Sequence, residues 1–209
     1  LGDNIGQGER TWQGHKDCIA PFYCGLNLQV LIQMETIGLI RHFKKMPFVD
    51  ETRIAACGNS GGGTETLILT ALEPDLAAAA SCGYPGDFAY ILQKERKHCC
   101  CNMLPHFISN LDMWEIYGAF APKPLLLNQG EQDTLIPVDS YRRNERKVRM
   151  CYELAGAAEF FDSKPTKSGH SWTNGDRLEI SRFFAKHLGI DAAYEGDDME
   201  WPLCLDIER

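Results

Sequence analysis

The sequence predicts an α/β fold: a mostly parallel sheet with helices on both faces. Three observations carry this. Short apolar runs alternate along the chain with longer stretches of helical periodicity. Those runs look buried on both sides, as strands of parallel sheets are. Polar residues of catalytic type follow three of them directly, where the loops beyond the carboxyl ends of parallel strands carry function.

The elements follow in order. Residues 26–46 read as a helix, since Val30, Met34 and Ile37 recur at helical spacing and Leu39, Ile40 and Phe43 continue an apolar face. Pro47 stops it. Residues 53–57 form a short apolar strand, and residues 64–72 a helix that ends near Glu73-Pro74. The alanine-rich run 76–82 is short enough for a buried strand. Residues 86–118 are irregular or helical, with aromatics at Phe88, Tyr90, Phe107, Trp114 and Tyr117. Residues 124–128 are a strand, 130–137 its loop, and 138–155 a helix with a polar face. Residues 158–162 are the last strand, and 178–188 the last helix, with Gly189 as its C-cap.

Composition narrows the function classes. The 209 residues suit one domain with a sizeable core, and 44% apolar with 24% charged residues is the ordinary globular balance. Residues 1–190 are read as that domain and residues 191–209 as an acidic C-terminal tail. A net charge of −8 argues against general affinity for nucleic acid. No apolar run approaches a membrane span, so no membrane partner is expected. The start, Leu1 to Gly6, has neither the basic nor the apolar part of a signal peptide; it begins with Leu rather than Met, and the compartment stays open.

The nine cysteines are an odd number. Cys57 and Cys82, in strand-like runs, are expected to behave as small core residues. The run Cys99-Cys100-Cys101 beside His98 lacks the second ligand pair that structural metal sites carry. The expectation is therefore no metal and no other cofactor, with mostly buried free thiols and at most one disulfide.

The stretch RIAACGNSGGGTET, residues 53–66, carries the chemistry. A strand ends, Ser60 follows between Gly58 and Gly62, and a helix starts. Asp133 follows the strand 124–128, and His170 follows the strand 158–162. Ser, Asp and His thus arrive in the chain order of an α/β-hydrolase triad. A serine hydroxyl needs a base to remove its proton, and the base needs an acceptor to orient it. His170 would be that base and Asp133 the acceptor, fixing the tautomer and stabilising the imidazolium. Gly58 and Gly62 would spare the sharp turn the Cβ atoms that clash. The amide of Gly61 would be one oxyanion donor. Glu131, in the same loop as Asp133, is the second choice of acid.

Together RIAACGNSGGGTETLILTALEPDLAAAASCGY, CCCNMLPHF, APKPLLLNQGEQDTLIPVDS and GHSW resemble α/β-hydrolases of the acetyl xylan esterase-like group, which is related to the dienelactone hydrolases. The likeness runs from about residue 1 to residue 190. It implies a serine esterase with Ser60, Asp133 and His170 as its triad, acting on an acetylated sugar or another small ester through an acyl-enzyme. The alternatives are a prolyl-oligopeptidase-type peptidase and a catalytically weak module of the same fold. The segment LGDNIGQGER resembles the loop after the fourth strand of such enzymes. The resemblance therefore implies that the N-terminal part of the fold, including the loop giving the second oxyanion amide, is missing from this chain. One sheet edge would then be open, to be covered by a partner, by the tail with Trp201, Leu203 and Leu205, or in a homo-oligomer. The resemblance leaves the pocket residues unknown; Tyr84, Phe88, Trp114 and Trp172 are wall candidates that serve equally well as core aromatics.

Overall fold

The computed structural model describes residues 3–15, 21, 23–93, 99–102, 104, 107 and 109–191. Four strands form one sheet: β1 (Ala55–Asn59), β2 (Ala78–Cys82), β3 (Leu125–Gly130) and β4 (Phe161–Thr166). They lie side by side in sequence order, and every pairing is parallel. Parallel neighbours need a crossover, and helices supply it. The helices are α1 (Leu28–Phe43), α2 (Gly61–Leu72), α3 (Phe88–Gln93), α4 (Met113–Ala119), α5 (Val138–Leu154) and α6 (Asn174–Leu188).

The period of two in the strands sorts the core into two layers. Ala79, Leu125, Leu127 and Phe161 share one apolar cluster with Leu67 and Leu69 of α2, Tyr117 of α4, and Tyr141, Val148 and Tyr152 of α5. Ala78, Ala80, Cys82 and Leu126 pack on the opposite side with Ile180 and Phe183 of α6. Every residue of β2 and β3 is buried. The Ser81 hydroxyl is paired: its Oγ lies 2.6 Å from the Tyr117 hydroxyl and donates to the Gly63 carbonyl at 3.1 Å. The expected architecture, a parallel sheet with helices on both faces, is the one observed.

Several boundaries differ from the sequence reading. Residues 158–160 form a 3-10 turn, and the strand runs from 161 to 166 instead. The last helix begins at Asn174, because Thr173 and Asp176 form a capping box there. Its end is as expected, with Gly189 in the left-handed region at φ 62°. In α1 the ridge of Val30 and Met34 faces solvent, Met34 being 64% exposed. Leu28, Gln29, Ile32 and Gln33 are buried instead, together with Ile40 of the expected face. Gln33 accounts for part of this inversion, since its Nε2 donates to the Glu65 carbonyl of α2 at 3.1 Å.

Cysteine burial also departs from expectation. Cys82 is buried, but Cys57 is exposed, because β1 is an outer strand of the described sheet. Six cysteines are free thiols, two of them buried, among the described residues. His98, His106, the Cys100 side chain and residues 192–209, with Trp201, Leu203 and Leu205, lie outside those described. No helix among the described residues is long and apolar enough to cross a membrane.

Candidate active site

Ser60 occupies the turn between β1 and α2, with φ 57° and ψ −114°. It is the one non-glycine with positive φ among the described residues. Such a conformation costs of order 1–3 kcal/mol and persists only where the surroundings enforce it. They do so through two backbone bonds: the Ser60 amide donates to the Cys82 carbonyl at 2.9 Å, and its carbonyl accepts from the Thr64 amide at 3.0 Å.

The glycines around Ser60 have separate jobs. A Cβ on Gly58 would sit 2.3 Å from the carbonyl carbon and oxygen of Gly62. A Cβ on Gly63 would sit 2.6 Å from the Cys82 carbonyl oxygen and 2.7 Å from Tyr84 Cβ. A Cβ on Gly62 meets nothing within 4 Å. The close approaches thus require glycine at Gly58 and Gly63. Gly62, expected to avoid a clash by lacking a side chain, instead contributes the backbone that Gly58 must clear.

Asp133, from the loop after β3, and His170, from the loop after β4, converge on Ser60. Ser60 Oγ is 2.8 Å from His170 Nε2, and His170 Nδ1 is 2.7 Å from Asp133 Oδ2. A carboxylate only accepts, so Nδ1 carries the ring proton and Nε2 is left to accept from the serine hydroxyl. The Asp133 side chain is completely buried. Its Oδ1 accepts from the amides of Leu135 at 2.7 Å and Ile136 at 3.2 Å, and its Oδ2 also from Gln129 Nε2 at 2.8 Å. Burial pushes this carboxyl upward, but the bonds from His170, Leu135 and Ile136 outweigh it and hold the group below the ordinary carboxylate range. Glu131 points elsewhere and pairs with Arg142 at 3.3 Å.

The His170 loop is clamped at both ends. Behind it, the Gln132 amide donates to the Ser168 carbonyl at 2.9 Å. Ahead of it, Asp176 Oδ2 accepts from the amide and hydroxyl of Thr173, each at 2.7 Å. Asn128 Nδ2, at the end of β3, donates to Asp176 Oδ1 at 3.1 Å. Residues of two neighbouring strand ends therefore set where the imidazole stands. Sequence reasoning missed Gln129, Asn128 and Asp176, although the last sits at a capping-box position.

Ser60 lines a cavity of about 380 Å³ together with Gly61, Gly62 and Asn59. The rest of its lining is Asn4, Gln7, His15, Ile32 and Cys101. The expected aromatic walls are not there. Tyr84 and Phe88 belong to the core at 3% and 2% exposure. Trp172 packs beside the α6 cluster, and Trp114 lines a separate hollow of about 270 Å³ with Asp87, Tyr90 and Lys147. The polar wall comes from residues 3–15, held to the helices by Arg10, which donates to both Glu35 oxygens at 2.6 and 2.9 Å, and by Asn4, which donates to Glu65 at 2.7 Å.

Comparison with known proteins gives consistent neighbours. The family model "Acetyl xylan esterase (AXE1)" matches residues 29–108. YtaP of Bacillus subtilis (strain 168), provisionally named a hydrolase, is 24% identical over 189 residues, which cover 89% of this chain and 63% of that protein. Among solved structures, Methylesterase BT1017 superposes with a TM-score of 0.63 at 23% identity, over 76% of this chain and 35% of that one. A carbohydrate esterase family 15 glucuronoyl esterase from Caldicellulosiruptor kristjansonii superposes with a TM-score of 0.66 at 15% identity, over 96% and 62%. The chain spans less than two thirds of the length of each of these relatives. At such identities the structural likeness carries the fold, which is that of the α/β-hydrolases.

Proposed function

We propose that this α/β-hydrolase chain is the catalytic part of a carboxylic-ester hydrolase that uses Ser60, His170 and Asp133 as its triad. The observation that carries the reading is the continuous chain of hydrogen bonds Ser60–His170–Asp133, assembled from three loops after three strands. In the reaction, Ser60 Oγ attacks the ester carbonyl as its proton passes to His170 Nε2. The Gly61 amide, at the first residue of α2, donates to the developing oxyanion; one such donor is worth about 3–4 kcal/mol. The tetrahedral adduct collapses, the alcohol leaves with the proton from His170, and an acyl-enzyme remains on Ser60. Water then repeats the sequence, giving up its proton to His170 and releasing the acid. Asp133 stays ionised throughout and holds the imidazolium.

An acetylated sugar or another small ester is the substrate class. The cavity is at the small end of ligand sites, which favours a short acyl group. Asn4 and Gln7 on its wall offer donors and acceptors to sugar hydroxyls. The acetyl xylan esterase match over residues 29–108, which include Ser60, supports the same class.

The test is turnover of p-nitrophenyl acetate by the chain and by Ser60→Ala, with a fluorophosphonate probe alongside. The unaltered chain should be labelled at Ser60, and Ser60→Ala should lose about 10⁴-fold or more in kcat with no label. Equal rates for the two proteins would overturn the proposal.

A further inference from the structure

The wall of the Ser60 cavity contains a second constellation. His15, Cys99 and Cys101 bring one ligand atom each to within 4.8 Å of one another. The sequence ties the thiols to their neighbour His98, whereas folding supplies a histidine from the far N-terminal segment. The set holds no carboxylate; its donors are two thiols and one imidazole. Thiolates with imidazole are the donors of zinc and like thiophilic cations, and two thiolates neutralise a divalent charge.

Second-sphere geometry favours the same use. His15 Nδ1 is 2.9 Å from the Ile5 carbonyl oxygen. A carbonyl can only accept, so Nδ1 holds the proton and the Nε2 lone pair is available. Metal-bound histidines commonly show this arrangement, because it fixes both tautomer and ring orientation. The thiol side is also anchored. Cys101 lies in a 3-10 turn, Cys100–Asn102, closed by the Asn102 amide donating to the Cys99 carbonyl at 2.9 Å. Asn102 Oδ1 accepts from Thr64 Oγ1 of α2 at 3.0 Å. Cys101 is 3% exposed and packs with Leu28 and Ile32 of α1, a dry backing for a soft ligand.

We propose that His15, Cys99 and Cys101 bind zinc or a like thiophilic divalent cation, with the fourth coordination position open to the cavity that holds Ser60. His15 and Cys101 both line that cavity, so the open position faces it. Three protein ligands and one exchangeable position are a recurrent zinc geometry. Loading displaces the two thiol protons to solvent, leaving a site of no net charge. It also ties the described segment 3–15, none of whose residues is buried, to the turn anchored on α2. This site is independent of whether Ser60 is a nucleophile.

The test uses the full chain, stripped by a chelator under reducing conditions and titrated with Co²⁺ as an optical stand-in. One equivalent should produce a thiolate-to-cobalt charge-transfer band, displaced by Zn²⁺. The band should vanish in the double variant Cys99→Ser/Cys101→Ser, weaken roughly tenfold or more in affinity in His15→Gln, and persist in Cys24→Ser. Should the double variant fail to fold, alkylation of the unaltered protein decides instead. Bound Zn²⁺ should protect the partly exposed Cys99 but not the exposed Cys24. Absence of the band with both thiols shown to be free, its survival in the double variant, or equal alkylation of Cys99 with and without Zn²⁺ would each overturn the proposal.

Discussion

Alanine at Gly58 should destabilise the protein by about 3 kcal/mol or more, while alanine at Gly62, four residues on, should not destabilise it at all. The added Cβ at Gly58 would lie 2.3 Å from both the carbonyl carbon and the oxygen of Gly62, and 2.6 Å from its Cα. Ordinary carbon contacts are about 3.5–4.0 Å, so the shortfall exceeds about 1 Å against three atoms at once. They are backbone atoms at the start of α2, which cannot swing aside as a side chain can. Overpacking commonly costs about 1–3 kcal/mol, and this case belongs at or above the top of that range. At Gly62 the new methyl meets nothing within 4 Å, and inside a helix alanine is favoured over glycine by about 1 kcal/mol. Urea unfolding of the three proteins provides the measurement, read as midpoints at constant slope. In thermal melts, Gly58→Ala should fall by about 6–12 °C and Gly62→Ala should hold or rise. Gly58→Ala within about 1 kcal/mol of the parent, or a Gly62→Ala loss as large as its partner's, would refute the assignment of the close approach.

Three further outcomes are expected. Asp133→Asn should lower kcat on p-nitrophenyl acetate by about 10⁴-fold with little change in KM, since the amide can present the wrong group to Nδ1; a loss under about tenfold would count against Asp133 as the orienting acid. Because the Asp133 carboxyl is held below its unfolded value, its stabilising contribution is complete above that value and fades as pH falls through the folded one. His187 is pushed below its ordinary value by burial and then by Lys186, with its ring 4.6 Å from that of Phe183. Above about pH 6.5 both states are neutral there; below it the unfolded chain takes the proton first, so stability drops until the folded value is passed. His187→Gln should flatten that drop in urea midpoints, and parallel curves for the two proteins would contradict it. Asp176→Ala removes the acceptor of Thr173 and Asn128 and should cost about 1–2 kcal/mol. It should also lower kcat more than it raises KM, because the His170 loop loses its forward clamp; unchanged kcat would rule out the positioning role.

Much of this was legible from residue order alone. Buried-looking runs alternating with helical periodicity identified the parallel sheet, and Ser60, Asp133 and His170 stood out because each follows a strand. What escaped had physical reasons. Capping competes with periodicity at helix starts, so the helix begins at Asn174, four residues before its apolar periodicity does. In α1 the regular Val30–Met34 ridge reads as the inner face, yet polar Gln33 turns inward because a carbonyl on α2 receives it. The apolar neighbours of Cys57 point to the core, but an outer strand buries less than its composition implies. The cavity wall was invisible because Asn4, Gln7 and His15 reach Ser60 only through tertiary contacts of a segment with no apolar pattern of its own. Gly58, Gly62 and Gly63 look alike in sequence; only the atoms around each one separate them.

The strand beside the nucleophile, β2, reads Ala-Ala-Ala-Ser-Cys, and α2 faces it through Gly63. Alanine and glycine have no rotamers to exchange, so this contact holds almost no side-chain entropy that heating could release. Its Ser81 hydroxyl is held between Tyr117 and the Gly63 carbonyl. The seat of Ser60 accordingly has no soft, partly melted state short of separating the helix from the sheet. On warming, the serine's reactivity and the cooperative fold should disappear at one temperature rather than two.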